Sequence, residues 1–308
     1  MRGSHKYVLT ARIVADQLKA EGWQIEILAV RGPGEDAKWQ SVAPQGECTF
    51  SITPSDAAFA DVGGSGSFSL MTEPDCEWVA IISDTWINVY GVPQGTGPAM
   101  INFIVGQNNS PDRRTGFIFI GGQFFNIFQG AQFADVPQSH PFYVEIGKIS
   151  GRGITLGCTP GNFCPDDVVT RQQVSAFILR TLGEFDPPTP AMQRFADVPP
   201  SNFFYDFIDR MAELGITLGC DANNFCPEAV TPREQMATFI IRALGEFDPP
   251  TPAVQRFVDV PPTNPFYNFI DRLAELGITQ GCTPTMFCPS DSVSRGQMAA
   301  LLVRAFNL

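Results

Sequence analysis

The chain has 308 residues with 28 Gly and 26 Pro, too few for a collagen-like or wholly disordered chain. Its 20 basic and 32 acidic residues leave a formal charge of −12, a sign that repels phosphate backbones and argues against nucleic acid as a partner. Only His5 and His140 supply imidazole, and no run reaches the roughly 18 apolar residues of a membrane span, so composition points away from most acid–base and zinc chemistry and from membrane insertion.

Residues 1–45 read as a fragment. Val8 to Ala20 offers one helical face, WQIEILAV (23–30) one strand, and GPG (32–34) is too short for a phosphate loop. A helix and a strand without a sheet are unstable alone, so the stretch is expected to be the tail of an upstream domain or a poorly ordered segment. Arg12 and Asp16 break its apolar run and leave no export signal; the expectation is a misplaced start or a longer reading frame.

Residues 46–130 change character. Apolar or alternating runs at CTFSI (48–52), GSFSLM (66–71), WVAII (78–82), WINVY (86–90), MINFIVG (100–106), GFIFI (116–120) and FFNIFQ (124–129) alternate with Gly-rich and polar breaks, the pattern of a β-sandwich. Cys48 and Cys76 would link two of its strands. The set Cys76-x-Trp78, Trp86-Ile87, Asn108, Arg114-x-Gly116-x-Ile118-x-Ile120 and Gln129 resembles the BACON domain. That resemblance implies a small immunoglobulin-like sandwich with a proposed link to carbohydrate. Trp78 and Trp86 are then either sugar-stacking rings or core residues, and the domain either binds glycans or spaces.

From residue 131 a step of 62 organises the chain: Phe133, Phe195 and Phe257; Asp135, Asp197 and Asp259; Tyr143, Tyr205 and Tyr267; Arg171, Arg233 and Arg295. Three repeats run 131–184, 193–246 and 255–308, joined by near-identical Pro-rich linkers. Each repeat predicts two helices. In the second repeat Phe204, Phe207, Ile208 and Met211 share a face ending at Gly215, and a second face carries Met236, Ile240, Ala243 and Leu244. Capping boxes are read at Thr170/Gln173, at Thr231 with Pro232 opening the helix, and at Ser294/Gln297. The aspartates read as turn residues before Val-Pro, and His140, which becomes Asn202 and Asn264 in the other repeats, as a polar turn position. Two short amphipathic helices cannot bury their faces alone, so the repeats are expected to share one core.

Six cysteines form three Cys-x5-Cys pairs followed by Pro: Cys158/Cys164, Cys220/Cys226 and Cys282/Cys288. The regular pairing favours disulfides and an oxidising compartment; zinc, the rival, lacks its usual spacing and histidines. Each short loop would contribute about 2.4 kcal/mol in the chain-entropy model.

The pattern F-x-DV-P … FY-x-x-I … GIT-x-GC … FCP … (T/S)R-x-Q … R resembles the S-layer homology (SLH) motif, three times over. The resemblance implies a compact helical assembly with pseudo-threefold arrangement, grooves between neighbouring motifs, and non-covalent anchoring to an acidic cell-envelope polysaccharide. It implies saccharide contacts at Arg171, Arg233 and Arg295, with Gly157, Gly219 and Gly281 in the candidate set. The physics agrees, since a guanidinium offers a carboxylate a fork and a helix N-terminus favours anions. The family's Glu is Gln at 173, 235 and 297, and the alternative role for the arginines is structural ion pairing.

The fold class expected is therefore multidomain α and β: an immunoglobulin-like β-sandwich followed by an all-α three-repeat SLH assembly. The function expected is a non-enzymatic, extracellular or cell-envelope protein whose partner is envelope polysaccharide, with other glycans a further option at the sandwich. No cofactor, metal or catalytic residue is expected. The alternative is the anchoring part of a larger secreted hydrolase, and a third reading is a self-assembling structural protein.

Overall fold

The computed structural model describes residues 48–91 and 93–308. The helix and strand expected within 1–45 lie outside the described residues.

The described residues first form nine strands: β1 (Ser51–Thr53), β2 (Asp56–Phe59), β3 (Gly64–Met71), β4 (Glu77–Ile82), β5 (Ile87–Val89), β6 (Gln94–Thr96), β7 (Ala99–Val105), β8 (Arg114–Ile120) and β9 (Gln123–Gln129). They make two sheets, ordered β1-β3-β7-β5 and β2-β9-β8-β4-β6. Period-two alternation sends Phe68 and Leu70, Ile101 and Phe103, Ile118 and Ile120, and Phe125 and Ile127 into one shared core. Phe68 stacks on Phe125 at 4.3 Å, and Phe103 meets Phe125 edge-on at 5.2 Å. The sequence pattern does not show β2 or β6. β2 pairs parallel to β9, a partner some 70 residues away (Asp56 opposite Asn126), and β6 is three residues long.

Six helices follow: α1 (Tyr143–Gly151), α2 (Arg171–Thr181), α3 (Tyr205–Glu213), α4 (Arg233–Ala243), α5 (Tyr267–Glu275) and α6 (Arg295–Phe306). The first helix of each repeat ends on a left-handed glycine, Gly153, Gly215 or Gly277, at φ between 71° and 73°. The helices pack across repeats: α2 against α3, α4 against α5, and α6 against α1. Their buried faces, including Ile146, Ile149, Ile178, Met236, Ile240, Met298 and Leu302, join one core. The backbone closes the same circuit. Val169 N–H donates to Val293 O (2.9 Å), Val293 N–H to Thr231 O (3.1 Å), and Thr231 N–H to Val169 O (3.0 Å).

Cations repeat the pattern on the outside. Arg210 grips Glu184 with two nitrogens (2.7 and 2.9 Å), and Arg272 grips Glu246 likewise (2.6 and 2.7 Å). One step round, Lys148 Nζ donates to the backbone oxygen of Leu308 at 2.7 Å, and Leu308 stands 62 residues after Glu246. Partly exposed pairs of this kind are worth little individually, and they join each repeat's end to the next helix.

The sandwich sits directly on α1. Asp209 of α3 and Asp271 of α5 bind linker arginines Arg194 and Arg256, but the equivalent position in α1 is Gly147. A Cβ there would lie 2.5 Å from Ala60, and one on Gly130 would lie 2.4 Å from Gly147 O. The Tyr143 hydroxyl donates to buried Asp61 at 2.5 Å, and Arg152 pairs with Asp56. Both desolvation and Asp61 push the Tyr143 phenol above its ordinary range.

Candidate functional site

The residues singled out in the repeats gather at three seams. At each, the arginine that opens a repeat's second helix crosses to the next repeat's cysteine loop. Arg171 Nε donates to Phe225 O (2.7 Å), Arg233 Nε to Phe287 O (2.8 Å), and Arg295 Nε to Phe163 O (2.8 Å). Each guanidinium also lies 4.8 Å from the ring centre of that phenylalanine. Arg171 and Arg295 are 3% and 5% exposed, and Arg233 is half-buried. Burial pulls all three below the ordinary arginine value, while Asp197, Asp291 with Asp259, and Asp167 with Asp135 respectively oppose that shift. Among the described residues they form no side-chain ion pair, and their Nε partners are backbone carbonyls.

The helix N-termini are not open to an anion. Arg171 and Gln172 N–H donate to Ala229 and Pro227 O, Arg233 and Glu234 N–H to Asp291 and Pro289 O, and Arg295 and Gly296 N–H to Asp167 and Pro165 O, all within 2.8–3.0 Å. The neighbouring repeat thus satisfies the first donors of each helix. Among the described residues, the seams leave over both terminal guanidinium nitrogens at Arg233 and Arg295, and Nη2 at Arg171, whose Nη1 donates to Gln235 Oε1 at 2.6 Å. Arg171 Nη2 and Arg295 Nη2 are buried with no hydrogen-bond partner.

The cysteine loops that face these arginines are joined as disulfides: Cys158–Cys164, Cys220–Cys226 and Cys282–Cys288, with Cys48–Cys76 in the sandwich. Asp135 lies with Cys158 and Cys164, and Asp197 with Cys220 and Cys226, in clusters with metal-ligand chemistry, but those sulfurs are bonded to one another. The aspartates are clamps rather than simple turn residues. Asp135 accepts from Phe163 and Cys164 N–H (2.8 and 2.6 Å), Asp197 from Phe225 and Cys226 N–H (2.8 and 2.7 Å), and Asp259 from Phe287 and Cys288 N–H (2.8 and 2.7 Å). They hold Cys164, Cys226 and Cys288 in left-handed backbone at φ 57°, 58° and 56°. Their equal spacing from FC was the signal available in the sequence.

Gly157, Gly219 and Gly281 have φ of 97°, 90° and 85°, and a Cβ on them would strike the carbonyl of Asn162, Asn224 or Met286 within 2.5 Å. Their N–H groups already donate to Thr155, Thr217 and Thr279 hydroxyls at 3.1–3.2 Å. Glycine there shapes the loop.

The capping box expected at Thr231 does not form. The 62-residue step aligns Thr170 and Ser294 with Pro232, and Pro232 is itself the N-cap, with α4 starting at Arg233. Thr231, read as the cap, is fully buried on the ring of backbone bonds.

In the sandwich, Trp78 and Trp86 are half-buried. Trp78 Nε1 donates to Gly97 O (2.9 Å), and Arg114 lies 4.4 Å over Trp86. Asn108, Arg114 and Gln129 form a knot under α1: Gln129 Nε2 donates to Ala60, Asp61 and Gly106 carbonyls, Arg114 Nε to Gln129 Oε1 (2.7 Å), and Asn108 Nδ2 to Gly130 O (2.9 Å). A cleft of about 290 Å³ lined by Ser83, Asp84, Thr115, Gly116, Phe117, Asn126 and Phe128 lies beside Trp86, whose ring a Cβ on Gly116 would meet at 2.8 Å.

Two stretches of the chain, 132–175 and 256–299, match the S-layer homology domain. Residues 193–246 lie between them and make equivalent seam contacts. The chain is 27% identical over 179 residues to a cell surface protein of Thermoanaerobacter kivui, covering 57% of this chain and 21% of that protein. It is 27% identical over 177 residues to an S-layer protein of Bacillus thuringiensis subsp. finitimus, covering 57% and 21%. It is 27% identical over 161 residues to an amylopullulanase of Thermoanaerobacterium thermosulfurigenes, covering 51% and 8%. The chain thus spans about a fifth or less of these relatives' lengths. S-layer homology domains are anchoring modules that bind envelope polysaccharides, so the matches point to the cell envelope or surface. Among the described residues no helix is long and apolar enough to cross a membrane.

Proposed function

We propose that this chain anchors non-covalently to a carboxylate-bearing envelope polysaccharide through the seams between three S-layer homology repeats, the middle one included. The observation that carries the reading is the leftover guanidinium fork. In each repeat Nε is fixed to the neighbouring loop, which sets the position of the guanidinium, and at Arg233 and Arg295 Nη1 and Nη2 remain as a planar fork that suits a carboxylate. The closed circuit of backbone bonds and helix pairs supports a pseudo-threefold arrangement, in which each seam needs residues from two repeats. The glycines at 157, 219 and 281 serve the site by shaping its wall.

The two-sheet unit fits an immunoglobulin-like, BACON-type sandwich acting as a non-catalytic spacer, because its motif residues Arg114 and Gln129 bond to each other and its Asp61 fastens it to Tyr143 of α1. The match to an amylopullulanase favours a second reading, an anchoring part of a larger hydrolase. The test is sedimentation of the full chain with purified envelope polysaccharide. Co-sedimentation that falls at least tenfold when Arg233 and Arg295 are both changed to Ala, in protein that keeps its circular dichroism, is the expected result. Undiminished binding removes the seams from the site.

A further inference from the structure

The three seams are built alike, yet one differs in a way that follows from a single residue. Each second helix carries Gln at its third position. In the first and third repeats that glutamine is held by its own cap: Gln173 Oε1 accepts from Thr170 N–H (3.1 Å) and Gln297 Oε1 from Ser294 N–H (3.2 Å). In the second repeat the cap is Pro232, which has no N–H to give. Gln235 Oε1 is therefore released, and it accepts instead from Arg171 Nη1 across the seam at 2.6 Å. Nothing equivalent holds the terminal nitrogens of Arg233 or Arg295 among the described residues. Ala229 reinforces the difference, since it stands where Asp167 and Asp291 face the other two arginines.

We infer that Gln235 latches the Arg171 seam from within, so that carboxylate-bearing saccharide is taken at the Arg233 and Arg295 seams and not at the Arg171 seam. This rests on the seam reading above for its ligand. With Nε on Phe225 O and one Nη1 hydrogen on Gln235, Arg171 keeps one Nη1 and two Nη2 hydrogens, so a carboxylate taking Nη1 and Nη2 together must share Nη1 with the Gln235 amide oxygen and meet that acceptor at close range. At Arg295 the fork is complete: among the described residues Nε alone is engaged, and Nη2 is buried and unpartnered. At Arg233 both terminal nitrogens are unengaged on a half-buried side chain.

The full chain carries the test through nitrogen-labelled guanidinium NMR, which reports each arginine separately. Without ligand, Arg171 Nη protons should exchange with water at least tenfold more slowly than those of Arg295, which is as deeply buried, and Gln235→Ala should abolish the difference. Equal exchange in the wild type overturns the latch whether or not any saccharide binds. The probe is a hexose disaccharide carrying a pyruvate ketal, with its methyl ester as the neutral control. It should shift the Arg233 and Arg295 signals alone in the wild type, and all three in Gln235→Ala. Pro232→Ser, which restores an N–H for Gln235 to accept, should act like Gln235→Ala. An Arg171 signal that moves with the others in the wild type, or stays still in both variants while the other two move, refutes the inference. A wild type in which no arginine responds to the probe refutes the seam reading instead, and the exchange rates still decide the latch.

Discussion

Removing one hydroxyl tests how the sandwich is fastened. Tyr143, Tyr205 and Tyr267 occupy the same position in three repeats, yet only the Tyr143 hydroxyl has a hydrogen-bond partner among the described residues, Asp61 at 2.5 Å. Asp61 is 5% exposed, so Tyr143→Phe strands a buried carboxylate without its donor. A hydrogen bond to a charged group is worth about 1.5–3 kcal/mol, and a melting temperature moves about 2–4 °C per kcal/mol for a unit near this size. Taking about 2 kcal/mol, Tyr143→Phe should lower the melting temperature by roughly 4–8 °C. Tyr205→Phe and Tyr267→Phe, which remove hydroxyls with no partner, should each cost under about 0.5 kcal/mol. Thermal melts of the three variants, followed by circular dichroism, decide it. Equal shifts in all three would refute the docking role of the Tyr143–Asp61 bond.

Gly147→Asp installs the residue found at 209 and 271, but its Cβ would lie 2.5 Å from Ala60, so the sandwich should loosen from α1 at a cost of about 3 kcal/mol. Faster hydrogen exchange in β2 and β9 checks it. Asp197→Ala removes the acceptor of Phe225 and Cys226 N–H, with an expected loss of about 3 kcal/mol and rapid exchange at those two amides. Glu73, held by the Thr49 hydroxyl and N–H, is lowered from 4.5 to about 2. Its folded value is depressed, so the stabilisation is complete above the ordinary value and fades as pH falls through about 2. A carboxyl NMR titration midpoint near 4.5 instead would show that the Thr49 link is absent in solution.

The β-to-α order and the six helices are legible in the chain, because the 62-residue step and the helical faces are local or periodic signals. β2 is not, since Asp-Ala-Ala-Phe becomes a strand only by lying parallel to β9 under α1. The arginines could be picked out by position, but not their direction: that Nε is taken by a neighbour's carbonyl is a tertiary fact. Thr231-Pro232-Arg233-Glu234 resembles a box locally, with Pro232 as the first helical residue. Only alignment with Thr170 and Ser294 puts it at the cap and frees Gln235. Asn108, Arg114 and Gln129 likewise read as a motif, whereas folded they knot loops and strands more than 60 residues apart.

The central claim is that the seams hold a carboxylate. Its most direct measurement is titration of the full chain with purified envelope polysaccharide before and after its carboxyl groups are converted to neutral methyl esters. The account predicts binding to the native polymer that drops at least tenfold on esterification and returns when the esters are hydrolysed. Equal affinity for the native and esterified polymers would contradict it.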